Sequence, residues 1–286
     1  MTALNIMVIG AGQMGGGIAQ VMAAAGHRVH LHDLDAAALR RGLTAIAARL
    51  AKAVSQGKLS NEAVEAQLAN LTPTGDLAPA SQCDLVVEAV VEDMAVKGDL
   101  FQRLDRICPP QAILASNTSS LPITEIAGHT DRPEQVVGMH FMNPVPVMAL
   151  VEIIRGLATS NQTYAAVREL ALSLGKTPVE VRDVPGFVSN RVLQMLINEA
   201  AYCVYEGVAS VEDIDTVLRL GMNHPMGPLT LADFIGLDTV LSIMEILQRG
   251  YGDSKYRPCP LLRQYVQAGW LGRKSGRGFY RYDQAV

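Results

Sequence analysis

Residues 4–33 read LNIMVIGAGQMGGGIAQVMAAAGHRVHLHD, and this stretch decides the fold. A short apolar run meets a glycine-rich turn, a run with helical spacing follows, and a second apolar run closes on Asp33. Gly10 permits a tight turn out of the first strand, Gly12 lets the backbone approach a ligand, and Gly15 lets the helix pack closely on the sheet. The stretch therefore predicts the first strand–helix–strand unit of a doubly wound α/β fold.

The same unit predicts a dinucleotide site, because a helix N-terminus offers amide donors and a positive dipole end to phosphates. The cofactor contacts expected from the turn are Gly10, Gly12, Gln13, Met14 and Gly15. Asp33 lies 23 positions after Gly10, where a carboxylate can accept hydrogen bonds from both ribose hydroxyls. It would repel a 2′-phosphate, so NAD is expected rather than NADP. A lone GxGxxG turn also occurs in unrelated α/β domains, but the complete order of elements favours the dinucleotide site.

Composition limits the classes of function. A chain of 286 residues is longer than one typical domain and predicts two. The net charge of −4 argues against a general binder of nucleic acid or of anionic membranes. No uninterrupted apolar run approaches the ~20 residues that span a bilayer. We therefore expect neither nucleic acid nor a membrane as a partner.

The cysteines and the first residues indicate a cytoplasmic protein. The four cysteines are widely spaced, and no two form a CxxC pair. They are Cys83, Cys108, Cys203 and Cys259. Neither a disulfide framework nor a metal site is expected from them, and a reducing compartment fits best. The first residues carry no basic segment, and five glycines between Gly10 and Gly17 interrupt the apolar run, so no export signal is expected.

Strand and helix patterns alternate through the first two thirds of the chain. Buried strands are expected at residues 84–90, 112–115, 136–141, 150–154 and 178–181. Helical spacing occurs over residues 35–57, 61–70, 93–107 and 163–175. The alternation predicts a Rossmann-like, doubly wound and mostly parallel sheet.

Beyond residue 184 the pattern becomes helical. Apolar residues recur at helical spacing over residues 187–206, 210–220, 229–249 and 259–269, with one short strand expected near 279–282. Asp183-Val-Pro185-Gly186 forms a natural break. The sequence thus predicts an NAD-binding domain over residues 1–184 and an all-helical C-terminal domain over residues 185–286.

Polar residues occupy four segments where core residues would be expected, namely 116–120, 140–144, Glu152 and 186–191. In open α/β sheets, ligands gather at the carboxyl ends of the strands. Oxidation of an alcohol needs a base for the hydroxyl proton, and imidazole titrates near working pH. His140 and Glu152 lie on two successive predicted strands, so the carboxylate could orient the ring and support an imidazolium.

Each of these residues also has a structural explanation when it is taken alone. A histidine at a strand end is usually a satisfied structural group, as we expect for the other five histidines. Glu152 could face solvent on an edge strand, the SNTSS segment could be a turn or a helix cap, and Asn190 could cap a helix. Only the combination of segments favours a catalytic site.

Together the segments resemble the L-3-hydroxyacyl-CoA dehydrogenase family, of the compact bacterial 3-hydroxybutyryl-CoA dehydrogenase type. The resemblance rests on seven blocks that occur in order over nearly the whole length. They are GAGQMGGGIAQ, VVEAVVEDMAVKGDLF, ILASNTSSLPIT, GMHFMNPVPVMALVEII, DVPGFVSNRVLQMLINEA, NHPMGPLTLADFIGLD and GRKSGRGFYRY.

The resemblance implies roles for matching positions. The family's catalytic histidine falls on His140, with its glutamate partner on Glu152. The serine that contacts the substrate falls on Ser119, and the asparagine at the domain junction falls on Asn190. The family's cofactor contacts fall on Gly10, Gly12, Gly15, Asp33, Glu92, Lys97, Ser119 and Asn143. Its basic helix that meets CoA phosphates lies near Lys52 and Lys58, although lysines on a solvated helix face are equally common.

The resemblance also implies the reaction, an NAD-dependent interconversion of (3S)-3-hydroxyacyl-CoA and 3-oxoacyl-CoA. A short-chain substrate such as 3-hydroxybutyryl-CoA is expected, with a homodimer formed by the helical domain and an active site in the cleft between domains. Fatty-acid β-oxidation, polyhydroxybutyrate-linked metabolism and aromatic degradation all remain open as pathways.

Two rival functions remain open at the level of sequence. One is a related dehydrogenase of a free hydroxy acid or sugar acid, and the other is a non-catalytic relative like the lens crystallins of this superfamily. Two positions depart from the family pattern. Met142 stands where an aromatic residue is common, and Ala149 stands where a lysine is common. Both could alter the substrate pocket or its surroundings.

Overall fold

A computed structural model describes residues 2–282 of the chain. The chain divides into two compact units, Met1–Asp183 and Val184–Val286. Within the described residues no helix is both long enough and apolar enough to cross a membrane. The expected fold class, an α/β sheet unit followed by a helical unit, is confirmed.

The first unit is built on one eight-stranded sheet. Its strands are β1 (Asn5–Ile9), β2 (Arg28–His32), β3 (Leu71–Thr74), β4 (Leu85–Glu88), β5 (Ile113–Ser116), β6 (Val136–Phe141), β7 (Leu150–Arg155) and β8 (Thr177–Arg182). They lie in the order β3-β2-β1-β4-β5-β6-β7-β8. Every neighbouring pair is parallel except β6 and β7, which run antiparallel. The sheet is therefore mostly parallel, as the alternating pattern predicts.

Six helices accompany the sheet. They are α1 (Gln13–Ala24), α2 (Ala36–Ser55), α3 (Asn61–Ala69), α4 (Met94–Ile107), α5 (Ile123–Ala127) and α6 (Asn161–Ser173). Four of them begin after a residue whose side chain accepts a hydrogen bond from a backbone N–H of the first turn. These N-caps are Asp35, Ser60, Asp93 and Ser160. Polar caps at these positions satisfy donors that a helix cannot pair internally.

The strand register separates an apolar face of the sheet from a face with buried polar groups. Ile6, Val8, Val29 and Leu31 belong to the main core cluster, which also includes residues of α1, α2 and α6. The opposite face carries four buried polar residues near strand ends. They are His32, Glu88, Ser116 and His140. Register partners in adjacent strands share a face, so these four side chains point to the same side.

The second unit is helical over its described part. Its helices are α7 (Ser189–Tyr205), α8 (Val211–Thr216), α9 (Pro228–Ile235), α10 (Leu237–Tyr251) and α11 (Pro260–Gln267). Buried apolar side chains of α7, α9, α10 and α11 form one core cluster. Two buried acids accept hydrogen bonds from residues that follow α11. Asp215 accepts from the Tyr280 hydroxyl, and Asp233 accepts from the backbone N–H groups of Phe279 and Tyr280.

The strand expected near residues 279–282 is wrong. In residues 184–282 the only extended pairings are isolated bridges that join Arg277 to Gly272 and to Arg281. The backbone donors of Phe279 and Tyr280 bond the Asp233 carboxylate and are not available for a ladder. The helix expected over 229–249 is also interrupted, because Gly236 at φ 102° separates α9 from α10.

Two short elements have no counterpart among the expectations. β3 contains Pro73 and pairs with β2 alone, which makes it an edge strand, where proline is tolerated. α5 has only five residues, and its first amides, those of Ile123 and Thr124, donate to the carboxylate of the distant Asp183. Neither element has a periodicity of its own.

Candidate active site

The glycine turn between β1 and α1 has the shape that a bound pyrophosphate requires. A Cβ atom on Gly10 (φ 101°) would lie 2.5 Å from the Ala89 carbonyl oxygen, and one on Gly15 would lie 1.8 Å from the Gly10 carbonyl oxygen. A Cβ atom on Gly12 would meet nothing within 4 Å. No side chain caps the start of α1 at Gly12. The turn is thus closed on its protein side and open on its ligand side, which suits phosphates at a helix N-terminus.

A cavity of about 730 Å³ adjoins this turn. Its wall includes Gly10, Gly12 and Asp33 together with mostly apolar residues that follow β4 or lie on α4. The half-buried Asp33 carboxylate accepts from the backbone N–H of Ala11 at 2.8 Å and from that of Asp35 at 2.9 Å. Each carboxylate oxygen keeps a further lone pair, so Asp33 can still accept from ribose hydroxyls. The cavity and its acid fit the adenosine half of a dinucleotide.

Gln13, Met14 and Asn143 occupy the other side of the turn. The Gln13 amide donates to Asn143 Oδ1 at 3.0 Å, and both side chains are exposed. Met14 is half-buried and packs on the main core of the unit. The structure therefore brings Asn143 to the glycine turn, although 130 positions separate it from Gln13.

His140 and Glu152 form the buried pair that the strand pattern suggests. They are register partners on the antiparallel strands β6 and β7, so both side chains point to one face. His140 Nδ1 lies 2.8 Å from Glu152 Oε2, and both residues are buried. An ionised carboxylate only accepts, so it fixes the proton on Nδ1 and leaves the lone pair on Nε2. This is the tautomer that a general base requires.

Glu92 organises the loop that carries Ser119. Its Oε1 accepts from Thr118 Oγ1 at 2.7 Å, from the Ser119 backbone N–H at 2.9 Å and from the Ser120 backbone N–H at 3.0 Å. A third of the Glu92 side chain is exposed, but these donors enclose its carboxylate. Burial opposes its ionisation, while Lys97 and the hydrogen bonds outweigh that effect and lower the pKa of Glu92. Glu92 thus lies in the loop's hydrogen-bond network as an anion.

Lys97 lies inside the unit in a network that the sequence reasoning missed. Its Nζ donates to Glu88 Oε1 at 2.6 Å and lies 3.4 Å from Glu92 Oε2, and only 1% of its side chain is exposed. Ser116 Oγ donates to the other Glu88 oxygen at 2.7 Å. The strand expected at residues 84–90 assigns Glu88 no role in the site. The available signal was a polar residue at the carboxyl end of each of two adjacent strands, since Glu88 and Ser116 are register partners.

The two lysines expected to meet CoA phosphates lie apart from these groups along the chain. Lys52 is in the last turn of α2 and Lys58 follows its end, and both are exposed. Neither contributes to the cavity beside the glycine turn. Their assignment to the substrate remains a prediction.

Asn190 belongs to the second unit, at the start of α7, and is half-buried. The next residue holds this segment in place. The Arg191 guanidinium donates to the Tyr251 hydroxyl at 3.0 Å, and that hydroxyl donates to the Pro185 carbonyl at 3.1 Å. Among residues 2–282, no group of three or more His, Cys, Asp or Glu side chains could hold a metal ion.

Comparison with known proteins gives one family for both units. The NAD-binding domain of 3-hydroxyacyl-CoA dehydrogenase matches residues 5–184, and the C-terminal domain of 3-hydroxyacyl-CoA dehydrogenase matches residues 186–282. A probable 3-hydroxybutyryl-CoA dehydrogenase of Bacillus subtilis is 62% identical over 280 residues, which cover 98% of each chain. A 3-hydroxybutyryl-CoA dehydrogenase of Bradyrhizobium diazoefficiens is 53% identical over 98% of this chain and 96% of its own.

The solved structures agree with this assignment. The (S)-3-hydroxybutyryl-CoA dehydrogenase of Ralstonia eutropha superposes with a TM-score of 0.97 at 46% identity, covering 99% of this chain and 100% of the other. The chain therefore belongs to the 3-hydroxyacyl-CoA dehydrogenase family and is an NAD-dependent dehydrogenase.

Proposed function

We propose that this enzyme interconverts (3S)-3-hydroxybutyryl-CoA and acetoacetyl-CoA, with NAD as hydride acceptor and NADH as donor. The observation that carries the proposal is the buried His140–Glu152 pair, with Nδ1 and Oε2 2.8 Å apart. The names of three relatives support the short acyl chain, since the proteins of Bacillus subtilis, Bradyrhizobium diazoefficiens and Ralstonia eutropha are each called 3-hydroxybutyryl-CoA dehydrogenase.

The cofactor would be held by the glycine turn and its surroundings. The amides at Gly12 and the start of α1 face the pyrophosphate, Asp33 accepts from the adenosine ribose, and Asn143 orients the nicotinamide half. Gln13 fixes Asn143 through its amide. NAD, when bound, supplies the acceptor for the hydride that leaves C3 of the substrate.

His140 would act as the general base in oxidation. Its Nε2 takes the proton of the C3 hydroxyl while the C3–H bond breaks and the hydride leaves with its electron pair. Glu152 holds the Nδ1 proton and offsets the positive charge that forms on the ring. In the reduction of acetoacetyl-CoA, the same imidazolium returns the proton to the new alkoxide oxygen.

Ser119 and Asn190 would orient the substrate. Both can donate hydrogen bonds to the reacting oxygen or to the thioester carbonyl, which places C3 for hydride transfer without covalent chemistry. The resemblance also assigns Glu92 and Lys97 to the cofactor. Glu92 would in addition hold the Ser119 loop in place, with Lys97 beside its carboxylate. Lys52 and Lys58 would meet CoA phosphates from the exposed end of α2.

We further propose that residues 185–286 form the homodimer and complete the substrate site. Large apolar side chains are exposed on the second unit, as a second copy of the chain would require. They are Val188, Val192, Tyr205, Val208, Val217, Leu220, Met222 and Phe234. A cytoplasmic location is proposed because all four cysteines are free thiols.

A substrate panel tests the proposed reaction. kcat/KM with NADH should be highest for acetoacetyl-CoA, lower for longer 3-oxoacyl-CoAs and for 3-oxoadipyl-CoA, and negligible for free acetoacetate. In the oxidation direction, the (3S) enantiomer should react and the (3R) enantiomer should not. Efficient turnover of a free hydroxy acid or sugar acid, with no gain from CoA, would support the rival dehydrogenase and contradict this proposal.

A further inference from the structure

Lys176 is a buried cation that the proposed function does not use. It lies between α6 and β8, and 7% of the residue is exposed. Its Nζ donates to the Val145 carbonyl oxygen at 2.6 Å and to the Met148 carbonyl oxygen at 2.8 Å. Burial lowers the pKa of this ammonium, and in residues 2–282 no carboxylate acts to raise it. Buried charges are usually paired with opposite charges, so a lysine held by two neutral carbonyls calls for an explanation.

Both carbonyls belong to the connection between β6 and β7. We call residues 143–148 the NPVPVM segment, after their sequence. Val145 is buried, and the other five residues of the segment are exposed. Within the segment, the backbone N–H groups of Val147 and Met148 donate to the Pro144 carbonyl oxygen at 2.9 and 3.0 Å. An exposed segment with so few internal bonds needs contacts with other elements to keep one position.

Contacts at three points hold the NPVPVM segment. Lys176 bonds two of its carbonyls. The Val145 side chain packs on α1, since a Cβ atom on Gly17 would lie 2.9 Å from Val145 Cβ. Asn143 Oδ1 accepts from the Gln13 amide at 3.0 Å. The last two contacts place the segment beside the start of α1, where the glycine turn meets the cofactor.

Among these three contacts, Lys176 gives the firmest hold on the backbone. A hydrogen bond from a charged donor is roughly twice as strong as one between neutral groups. The Lys176 ammonium makes two such bonds in a buried place. The bond between Gln13 and Asn143 is neutral and exposed, so by itself it would hold Asn143 weakly.

From these contacts we infer that Lys176 is a positioning residue for the nicotinamide half of NAD. It fixes the NPVPVM segment on α1, so that Asn143 meets the nicotinamide in one position. This role rests on the proposed function, because the contact between Asn143 and the nicotinamide half is part of that proposal. It does not depend on which acyl-CoA the enzyme uses.

Calorimetric titrations of the full-length protein test the inference without turnover. The two ligands are NADH and ADP-ribose, which lacks the nicotinamide. The variants are Lys176→Met, which removes the ammonium and keeps an unbranched side chain, Asn143→Ala, and the double variant that carries both changes. Val181→Ala is the matched control, because Val181 is buried on β8 but has no polar side-chain atom that could bond the segment.

Asn143→Ala and Lys176→Met should each raise the Kd of NADH about 3- to 10-fold, the range for one lost hydrogen bond. The Kd of ADP-ribose should not change, because the glycine turn and Asp33 stay intact. The double variant should bind NADH no more weakly than Asn143→Ala does, because Lys176 acts through Asn143. Val181→Ala should bind both ligands as wild type does.

Two results would overturn the inference and leave the proposed function intact. One is an unchanged NADH Kd in Lys176→Met beside weaker binding in Asn143→Ala. The other is an equal rise of both Kd values in Lys176→Met, which would indicate a general structural defect. An unchanged NADH Kd in Asn143→Ala would instead contradict the proposed role of Asn143, and the role of Lys176 would fall with it.

Hydrogen exchange of the wild-type protein needs no variant and so holds even if Lys176→Met does not fold. The backbone amides of Val147 and Met148 should exchange slowly without cofactor, and NADH should add little protection, because Lys176 already fixes the segment. Fast exchange of these amides that slows only when NADH binds would overturn the inference.

Discussion

At the scale of single residues, the site depends on side chains that backbone groups hold in place. Asp33 illustrates this, because its two carboxylate oxygens accept from Ala11 and Asp35 before any ligand binds. These bonds fix the carboxylate where a ribose would meet it, so its charge can act on the cofactor with little loss of conformational freedom.

Asp33 should set the preference for NADH over NADPH. Asp33→Asn keeps the side-chain shape and removes the charge that repels a 2′-phosphate, a repulsion of roughly 1–4 kcal/mol at about 4 Å. We expect the ratio of kcat/KM for NADH to that for NADPH to fall about tenfold or more. Asp35→Asn, which alters an exposed helix cap nearby, is the control and should leave the ratio unchanged. A wild-type enzyme that uses NADPH as well as NADH would refute this role.

His27 should make the stability of the protein depend on pH. Its Nδ1 accepts from the Leu4 backbone N–H at 3.1 Å, its Nε2 is buried without a partner, and burial lowers its pKa. Below the unfolded value of about 6.5, the unfolded chain therefore binds a proton that the folded chain resists. The free energy of unfolding should fall between pH 7.5 and pH 5.5, and urea titrations should show a smaller fall for His27→Gln. An equal fall in wild type and in His27→Gln would exclude His27 as a source of the pH dependence.

At the scale of elements, the ends of neighbouring strands bring together groups that lie far apart in the chain. β4 and β5 contribute Glu88 and Ser116, and α4 contributes Lys97. Burying such an ion pair costs desolvation free energy that can offset the attraction between the two charges. We infer that the pair serves mainly to position neighbouring groups. Here the neighbour is Glu92, which holds the Ser119 loop.

Removal of the Glu88 charge should destabilise the first unit. Glu88→Gln leaves the Lys97 ammonium buried with only Glu92 nearby, and the expected loss is up to about 3–5 kcal/mol in the free energy of unfolding. The double variant with Glu88→Gln and Lys97→Met should regain part of the lost free energy of unfolding. The control is Asp99→Asn, which breaks an exposed pair on the same helix and should cost about 0–1 kcal/mol. Urea denaturation gives each value, and a Glu88→Gln variant as stable as Asp99→Asn would contradict the account.

Patterns along the chain predict elements that have a periodicity and miss those that depend on distant contacts. The alternation of apolar runs predicts seven of the eight strands, and the successive runs around His140 and Glu152 predict their meeting. β3 carries Pro73 and only four residues, so no strand pattern marks it. The strand expected near Phe279 fails because the Asp233 carboxylate, 46 positions earlier, takes the Phe279 backbone N–H. The Glu88–Lys97 pair is likewise visible only after the strands are assembled.

At the scale of the whole molecule, we propose that residues 1–184 bind the cofactor and that residues 185–286 form the dimer. The family models cover residues 5–184 with an NAD-binding domain and residues 186–282 with a C-terminal domain. The proposed dimer would cover the exposed apolar side chains of the second unit.

The full chain should sediment at twice its mass of 30.7 kDa. Leu220→Glu places a charge among exposed apolar residues of the second unit and should weaken the dimer, because a charge buried at an interface lacks a partner. Leu157→Glu, at a position 90% exposed in the first unit, is the matched control and should remain dimeric. Sedimentation equilibrium over a range of concentrations measures both. A fully active wild-type monomer would contradict the proposed dimer.

We propose that His140 and Glu152 perform the proton transfer as one unit. Glu152→Gln should lower kcat and shift the pH–rate profile, because the imidazolium loses its counter-charge. A double variant no slower than His140→Ala would support a shared role.

The most direct test is kcat of His140→Ala with acetoacetyl-CoA and NADH, measured beside the NADH Kd of the same preparation. We predict a fall of roughly 10²–10⁴-fold in kcat with the Kd unchanged, since the variant loses the proton donor and keeps the glycine turn and Asp33. Near-normal turnover in His140→Ala would show that His140 is not the proton donor.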